Sequence, residues 1–286
     1  MADRQISKLN CGKLGLIVGG GDLPLHVAQI AAAGDIPIHA VNLLGLAHTS
    51  SIVSNGDWIA LGSIGGIIKS MKSANVQRIC FAGQVSRPDF STLKLDLRGV
   101  KELPAILHAA SKGDDALLRA VIAIFEREGF MVVGADEIAT DLLAPIGPLG
   151  AVLVDAKHSL DLEKARAIAE NIGTLDIGQG AVVCNGLVLA VEAQEGTDAM
   201  LRRCLKLPAH LHGTRSKRAG VFAKVPKPTQ ETRIDLPTLG LQSVQLADEL
   251  GLAGIGYAAG ATFLLEKDAM REAADKAGLF LFGLER

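Results

Sequence analysis

Short apolar runs alternate with helical stretches through the first half of the chain, and this alternation limits the fold more than any other feature. Residues 14–18, 36–41, 58–61 and 79–82 are apolar runs of strand length. Between them, 23–33 and 64–73 read as helices, the first stopped by Gly34. Strands separated by helices imply parallel pairing through crossover connections. Strands that are apolar throughout imply a sheet covered on both faces. A longer helix opens at Asp114 and Asp115, where carboxylates favour the helix macrodipole, and Leu117, Leu118, Val121, Ile122 and Phe125 follow at helical spacing. Residues 131–134 add another strand. The expected fold is α/β, with a Rossmann-like parallel-sheet domain at the N-terminus.

Residues 143–150, Leu-Ala-Pro-Ile-Gly-Pro-Leu-Gly, concentrate proline and glycine and read as a linker. They divide the chain near residue 145 into an N-terminal domain, 1–144, and a C-terminal domain, 145–286. The second half mixes its signals. Residues 162–171 form an amphipathic helix, and 181–184 and 187–193 are strands joined by Asn185-Gly186. Asn-Gly between apolar runs predicts a tight hairpin, because both residues tolerate positive φ. Strands at 220–224, 255–259 and 279–282, with helices ending near Gly251 and spanning 268–277, complete a mixed α/β domain.

Composition removes several classes of function. At 49% apolar and 21% charged residues, the chain can bury a core and is not a disordered sequence. One Trp, one Tyr and a net charge of −2 leave neither stacking platforms nor a basic face for nucleic acid. Cys11, Cys80, Cys184 and Cys204 include no C-x-x-C pair and suit reduced, buried thiols in the cytoplasm. The start, MADRQISKLN, has no apolar signal-peptide core, and no run reaches the length of a membrane span. His26, His39, His48, His108, His158, His210 and His212 are scattered, which argues against a histidine-rich dinuclear phosphoesterase. Zinc-protease and serine-hydrolase signatures are missing from the sequence as well.

Four segments can carry chemistry. The first is Gly19-Gly20-Gly21-Asp22, between the first strand and the first helix, where backbone N–H groups can approach a phosphate. A plain strand-to-helix turn, with Pro24 in the first helical turn, reads the same residues without a ligand. The second, 81–88, follows another parallel strand and offers Arg87 as a phosphate clamp or as a surface arginine. The third pairs Gln179 with a run holding Glu192, Glu195, Thr197 and Asp198 at the start of a helix. Carboxylates clustered there suit a hydrated Mg²⁺, although Thr197 or Asp198 could serve only as a cap. The fourth, 224–237, runs Lys224, Lys227, Glu231, Arg233 and Asp235 through a loop stiffened by three prolines. Cations for phosphate oxygens and carboxylates for metal or water are what diphosphate cleavage requires, whereas a solvated charged loop reads the same residues without a ligand.

In this order the segments LGLIVGGGDLP, FAGQVSRP, GDDALLRAV, DIGQGAVV, VEAQEGTDAMLRR and KVPKPTQETRIDLPTLG resemble the LpxI family of UDP-2,3-diacylglucosamine pyrophosphatases. The resemblance runs from about Lys13 to the C-terminus; residues 1–12 match nothing and are expected to be a disordered extension. It implies Mg²⁺-dependent hydrolysis of UDP-2,3-diacylglucosamine to UMP and 2,3-diacylglucosamine 1-phosphate on the route to lipid A. By this reading Asp235, Arg233, Lys224 and Asp198 are catalytic. Gly19, Gly20, Gly21, Asp22, Arg87, Gln179, Thr197 and Lys227 bind substrate, and Asp235, Glu192, Asp198 and Glu231 hold the metal. The family's last motif carries an Asp-x-x-x-Asp pair, and Glu231 departs from it by a longer arm. An acylated UDP-sugar is the expected partner, with weak peripheral contact at the inner face of the inner membrane and a homodimer as a candidate assembly. Two rivals remain: a nucleotide-dependent oxidoreductase, which the Asn42 near the end of the second strand weakens, and a non-catalytic nucleotide-sugar sensor.

Overall fold

A computed structural model describes residues 12–47 and 56–285. Most of the expected N-terminal extension, with Cys11 and His48, lies outside the described residues. Two compact units divide the chain: residues 1–140 together with 231–235, and residues 141–230 together with 236–286.

The first unit is built on a five-stranded sheet of β1 (Lys13–Val18), β2 (Ile38–Leu43), β3 (Asp57–Ile59), β4 (Val76–Ala82) and β5 (Met131–Val133). Every pairing is parallel, in the order β3-β2-β1-β4-β5. β2 begins two residues later than the apolar run suggests. Pro37 has no N–H to give a ladder and contributes only its carbonyl, to Leu14 N at 2.9 Å. Helices α1 (Leu23–Ala33), α2 (Ile64–Ser73), α3 (Leu97–Ala110), α4 (Asp114–Arg127) and the short α5 (Ala135–Ile138) complete the unit. Its core joins Ile17, Val41 and Ile79 of the sheet to Ile122 and Phe125 of α4. Phe125 packs edge-on against Phe81, with ring centroids 5.4 Å apart. The helix α3 is not evident from periodicity, because Gly99 and Pro104 interrupt it. Its start is nevertheless well specified, since the Asp96 side chain accepts from Gly99 N at 2.7 Å.

The second unit holds a six-stranded mixed sheet. β6 (Gly147–Pro148), β7 (Gly180–Cys184), β8 (Leu187–Val191), β9 (Val221–Lys224), β11 (Gly254–Ala258) and β13 (Phe280–Leu284) lie in the order β6-β13-β11-β9-β7-β8. β9, β11 and β13 run parallel, and the others pair antiparallel. β10 (Thr238–Leu239) and β12 (Phe263–Leu264) form a separate parallel pair. The helices are α6 (Ala156–Thr174), α7 (Thr197–Cys204), α8 (Leu241–Glu249) and α9 (Lys267–Ala277). The β7–β8 hairpin turns on Asn185 and Gly186, with φ of 49° and 78°, as the dipeptide requires. Asp161 of α6, only 3% exposed, accepts from both turn N–H groups at 2.8 and 2.7 Å, which explains why a carboxylate is buried there. Cys80, Cys184 and Cys204 are buried free thiols. Among the described residues no helix is long and apolar enough to cross a membrane.

Candidate active site

In the first unit the strand order reverses between β1 and β4, and open α/β sheets bind ligands outside the carboxyl ends of the strands at such a point. The first two sequence segments meet there. Gly20 and Gln84 form a two-way bridge, with Gly20 N to Gln84 O and Gln84 N to Gly20 O both at 2.8 Å, while Gly19 N bonds Ala82 O at 2.8 Å. The expectation that these glycines offer N–H donors to a phosphate is therefore corrected for Gly19 and Gly20, whose N–H groups knit the two loops together. Gly21 has no neighbour that a Cβ would meet within 4 Å, and Asp22 leads into α1 with an exposed carboxylate that makes no capping bond. Arg87 is partly committed, donating to Asp114 Oδ1 at 3.2 Å and to Ala110 O at 2.7 Å. That leaves part of its five-donor guanidinium for an anion.

The segment 231–235 also packs in the first unit, and there it forms a brace. Glu231 is 8% exposed. Arg233 grips its carboxylate with two arms, Nε to Oε1 at 2.8 Å and Nη2 to Oε2 at 2.9 Å, and reaches Glu126 Oε1 with Nη1 at 2.7 Å. Arg119 approaches Glu231 Oε2 at 3.4 Å, and Asp115 Oδ1 accepts from Glu231 N at 2.8 Å. The Arg233 hydrogen bonds hold the Glu231 carboxyl below its ordinary range, and the two carboxylates raise the Arg233 guanidinium. Two expectations are corrected here. Glu231 is not placed as a metal ligand, because guanidiniums occupy both of its oxygens. Arg233 is not a free catalytic cation, because carboxylates occupy its Nε and both terminal nitrogens. Asp235 follows in the same turn, its N–H on Glu231 O at 3.2 Å.

The second unit gathers a different set where β9 ends. Lys224 lies between Gly180 of β7 and Tyr257 of β11 in the ladder, on one face of the sheet. Its ammonium donates to Thr197 Oγ1 at 2.6 Å and to Thr238 O at 3.4 Å. Thr197 in turn donates to Glu192 Oε1 at 2.8 Å, and Lys224 Nζ stands 3.9 Å from that same oxygen. Lys224, Thr197 and Glu192 are 6, 9 and 5% exposed. Ionised groups this deep require partners, and the hydroxyl links the two charges. Thr197 therefore serves the relay rather than a cap; the N-cap residue of α7 is Gly196, which has no side chain to cap with. Asp198 lies in the first turn of α7, 3.9 Å from Arg202.

The relay leaves unsatisfied atoms. Glu192 Oε2, Gln179 Oε1 and the Tyr257 hydroxyl are buried without a hydrogen-bond partner among the described residues, and burial raises the Tyr257 pKa. A Cβ at Gly180 would fall 2.7 Å from Glu192 Oε2, so glycine leaves room for that oxygen. A buried anionic oxygen with no donor fits a cation. Mg²⁺ needs only one or two carboxylates when phosphates and water complete its shell. No group of three or more His, Cys, Asp or Glu side chains able to hold a metal occurs among the described residues, so an all-protein cage does not fit, whereas such a sparse site does. Lys227 is held by Asp176 Oδ1 at 2.6 Å. A cavity of about 560 Å³ lined by His39, Asp57, Trp58 and Lys69 contains none of the expected site residues.

Sequence reasoning missed Asp115, Arg119, Glu126 and Tyr257, and gave Asp176, which opens the DIGQGAVV segment, no role of its own. For Asp115 and Arg119 a signal existed, since both lie in the GDDALLRAV segment, but a helix start explained the acids as well. For Glu126 and Tyr257 the sequence offered none.

An all-parallel first sheet and a mixed second sheet define the class, a two-unit α/β protein with charged clusters at strand ends and loops. Residues 13–142 match the LpxI N-terminal domain and residues 145–282 the LpxI C-terminal domain, so the chain belongs to the LpxI family. It is 49% identical over 273 residues to UDP-2,3-diacylglucosamine pyrophosphatase LpxI of Caulobacter vibrioides, covering 96% of this chain and 98% of that protein.

Proposed function

We propose that this protein hydrolyses the diphosphate of UDP-2,3-diacylglucosamine, releasing UMP and 2,3-diacylglucosamine 1-phosphate for lipid A. The observation that carries this reading is the near-complete, 49% identical match to a pyrophosphatase of that name. Phosphoryl transfer depends on positioning and charge more than on a protein nucleophile, so a site of lysine, hydroxyl and carboxylates suffices.

Within the second unit, Lys224 is the cation for a phosphate oxygen, its ammonium oriented by Thr197 and Thr238. Glu192, whose Oε2 has no donor among the described residues, and Asp198 are the carboxylates assigned to Mg²⁺. The ion would neutralise phosphate charge and acidify water. Gln179 and Lys227 are assigned to substrate. Within the first unit, Asp235 is the carboxylate whose loss should stop turnover. The order β3-β2-β1-β4-β5 supports a Rossmann-like reading, with Gly21, Asp22 and Arg87 at its switch point. The enzyme would act in the cytoplasm, on lipid at the inner face of the inner membrane. No observation favours the oxidoreductase or the sensor. Incubating the protein with UDP-2,3-diacylglucosamine in detergent, with Mg²⁺ or with a chelator, and measuring UMP tests both points. UMP that requires Mg²⁺ is expected, and its absence under every condition would overturn the reading.

A further inference from the structure

The outer face of α3 is built for a surface other than this protein. Leu97, Val100, Pro104 and Leu107 recur at spacings of three, four and three, which places them in one stripe along the helix. Leu97 is 92% exposed, Val100 57% and Leu107 42%, and Pro104 is exposed beside them. Gly99, Glu102, Ile106 and Ala110 face inward instead, so the helix is already anchored without the stripe.

The charge pattern along the helix decides what kind of surface the stripe fits. Glu102 is the only acid in α3, is 5% exposed, and carries Arg98 at 3.1 Å and Arg127 at 2.8 Å. Asp96, just before the helix, spends one oxygen on Gly99 N and the other on Gly66 N. The exposed side of α3 therefore presents apolar groups with Lys101 among them and Lys94 and Lys112 beyond its ends, and no open carboxylate. A second copy of this stripe would bring like charges together, whereas an anionic bilayer complements both the lysines and the apolar side chains.

We propose that α3 is the membrane-docking face of the first unit, its Leu97–Leu107 stripe entering the headgroup–acyl boundary and its lysines meeting anionic lipid. This rests on the acylated substrate proposed above, because an enzyme for such a lipid must collect it from a bilayer. No spanning segment is needed for a helix lying in the interface plane.

The test is cosedimentation with vesicles of phosphatidylethanolamine and a minority of phosphatidylglycerol, using wild type, Leu97→Gln and the triple variant Leu97→Gln, Val100→Gln, Leu107→Gln. Wild type should bind, and the triple variant should lose about tenfold or more in partition, as expected when three apolar side chains no longer enter lipid. Leu97→Gln should lose part of it; at 92% exposure this change cannot unfold the protein. Both variants should keep wild-type UMP release from detergent-dispersed substrate, a result that separates docking from catalysis. If no protein releases UMP in detergent, the proposed activity fails while the vesicle comparison still judges the helix. Equal partition of wild type and triple variant, no partition of wild type, or a wild-type dimer that the triple variant dissolves would overturn the docking assignment.

Discussion

The Lys224–Thr197–Glu192 relay makes the sharpest energetic demand in the molecule, and Lys224→Met tests it. Methionine matches the lysine stem but removes the ammonium, leaving Glu192, 5% exposed, with Thr197 as its remaining donor. Breaking a buried pair from one side costs about 3–5 kcal/mol, because the surviving charge is uncompensated. In a unit of this size that corresponds to a fall of roughly 6–20 °C in Tm. Adding Glu192→Gln removes the stranded charge, so the double variant should recover much of the loss, with a coupling energy of about 2 kcal/mol or more. The chain's one tryptophan, Trp58, lies in the first unit and its one tyrosine, Tyr257, in the second. Denaturation followed in the tyrosine near-UV band should therefore show the shift, while tryptophan fluorescence reports the first unit. Single variants whose costs simply add, to within about 0.5 kcal/mol, would refute the claim that these charges depend on each other.

Asp235→Ala should abolish UMP release while leaving the Trp58-reported transition within about 1 kcal/mol of wild type; near-normal kcat would remove Asp235 from the chemistry. Glu231 has a depressed pKa in the folded state. Its contribution is thus fully present above the ordinary value of 4.5 and is lost as pH falls through the folded value. Glu231→Gln should flatten the acid limb of the first unit's stability profile below pH 4.5, and an unchanged limb would show that the Arg233 brace carries no stability. Burial pushes Cys204 up to about 11 and raises Cys80 further, so iodoacetamide at mildly alkaline pH should leave both unlabelled until the protein unfolds, as read by peptide mass.

What the sequence disclosed was local. The strand 14–18 and the Asn185-Gly186 turn are written in neighbouring residues, and the structure places them as read. The second strand moved because Pro37 cannot donate, and α3 escaped notice because Gly99 and Pro104 break its periodicity. For the site, residue types pointed to Lys224, Thr197 and Glu192, but not to a hydroxyl bridging two charges 32 residues apart in sequence (224 minus 192). The same reasoning gave Glu231 and Arg233 to chemistry. Their partners Asp115 and Glu126 stand 116 and 107 residues away, a separation at which no spacing rule applies.

The five residues 231–235 have a consequence for inheritance. They pack with residues 1–140, although the chain on both sides of them belongs to the other unit. The polypeptide therefore crosses between units three times, at 140/141, 230/231 and 235/236, and no single cut yields two self-sufficient pieces. A gene fragment encoding 141–286 would make a protein whose Glu231 and Arg233 had lost Asp115, Arg119 and Glu126. Recombination that joined the first half of one relative to the second half of another would mismatch the same ion pairs. Selection should therefore have kept the two halves together as a single transmitted gene rather than as separable modules.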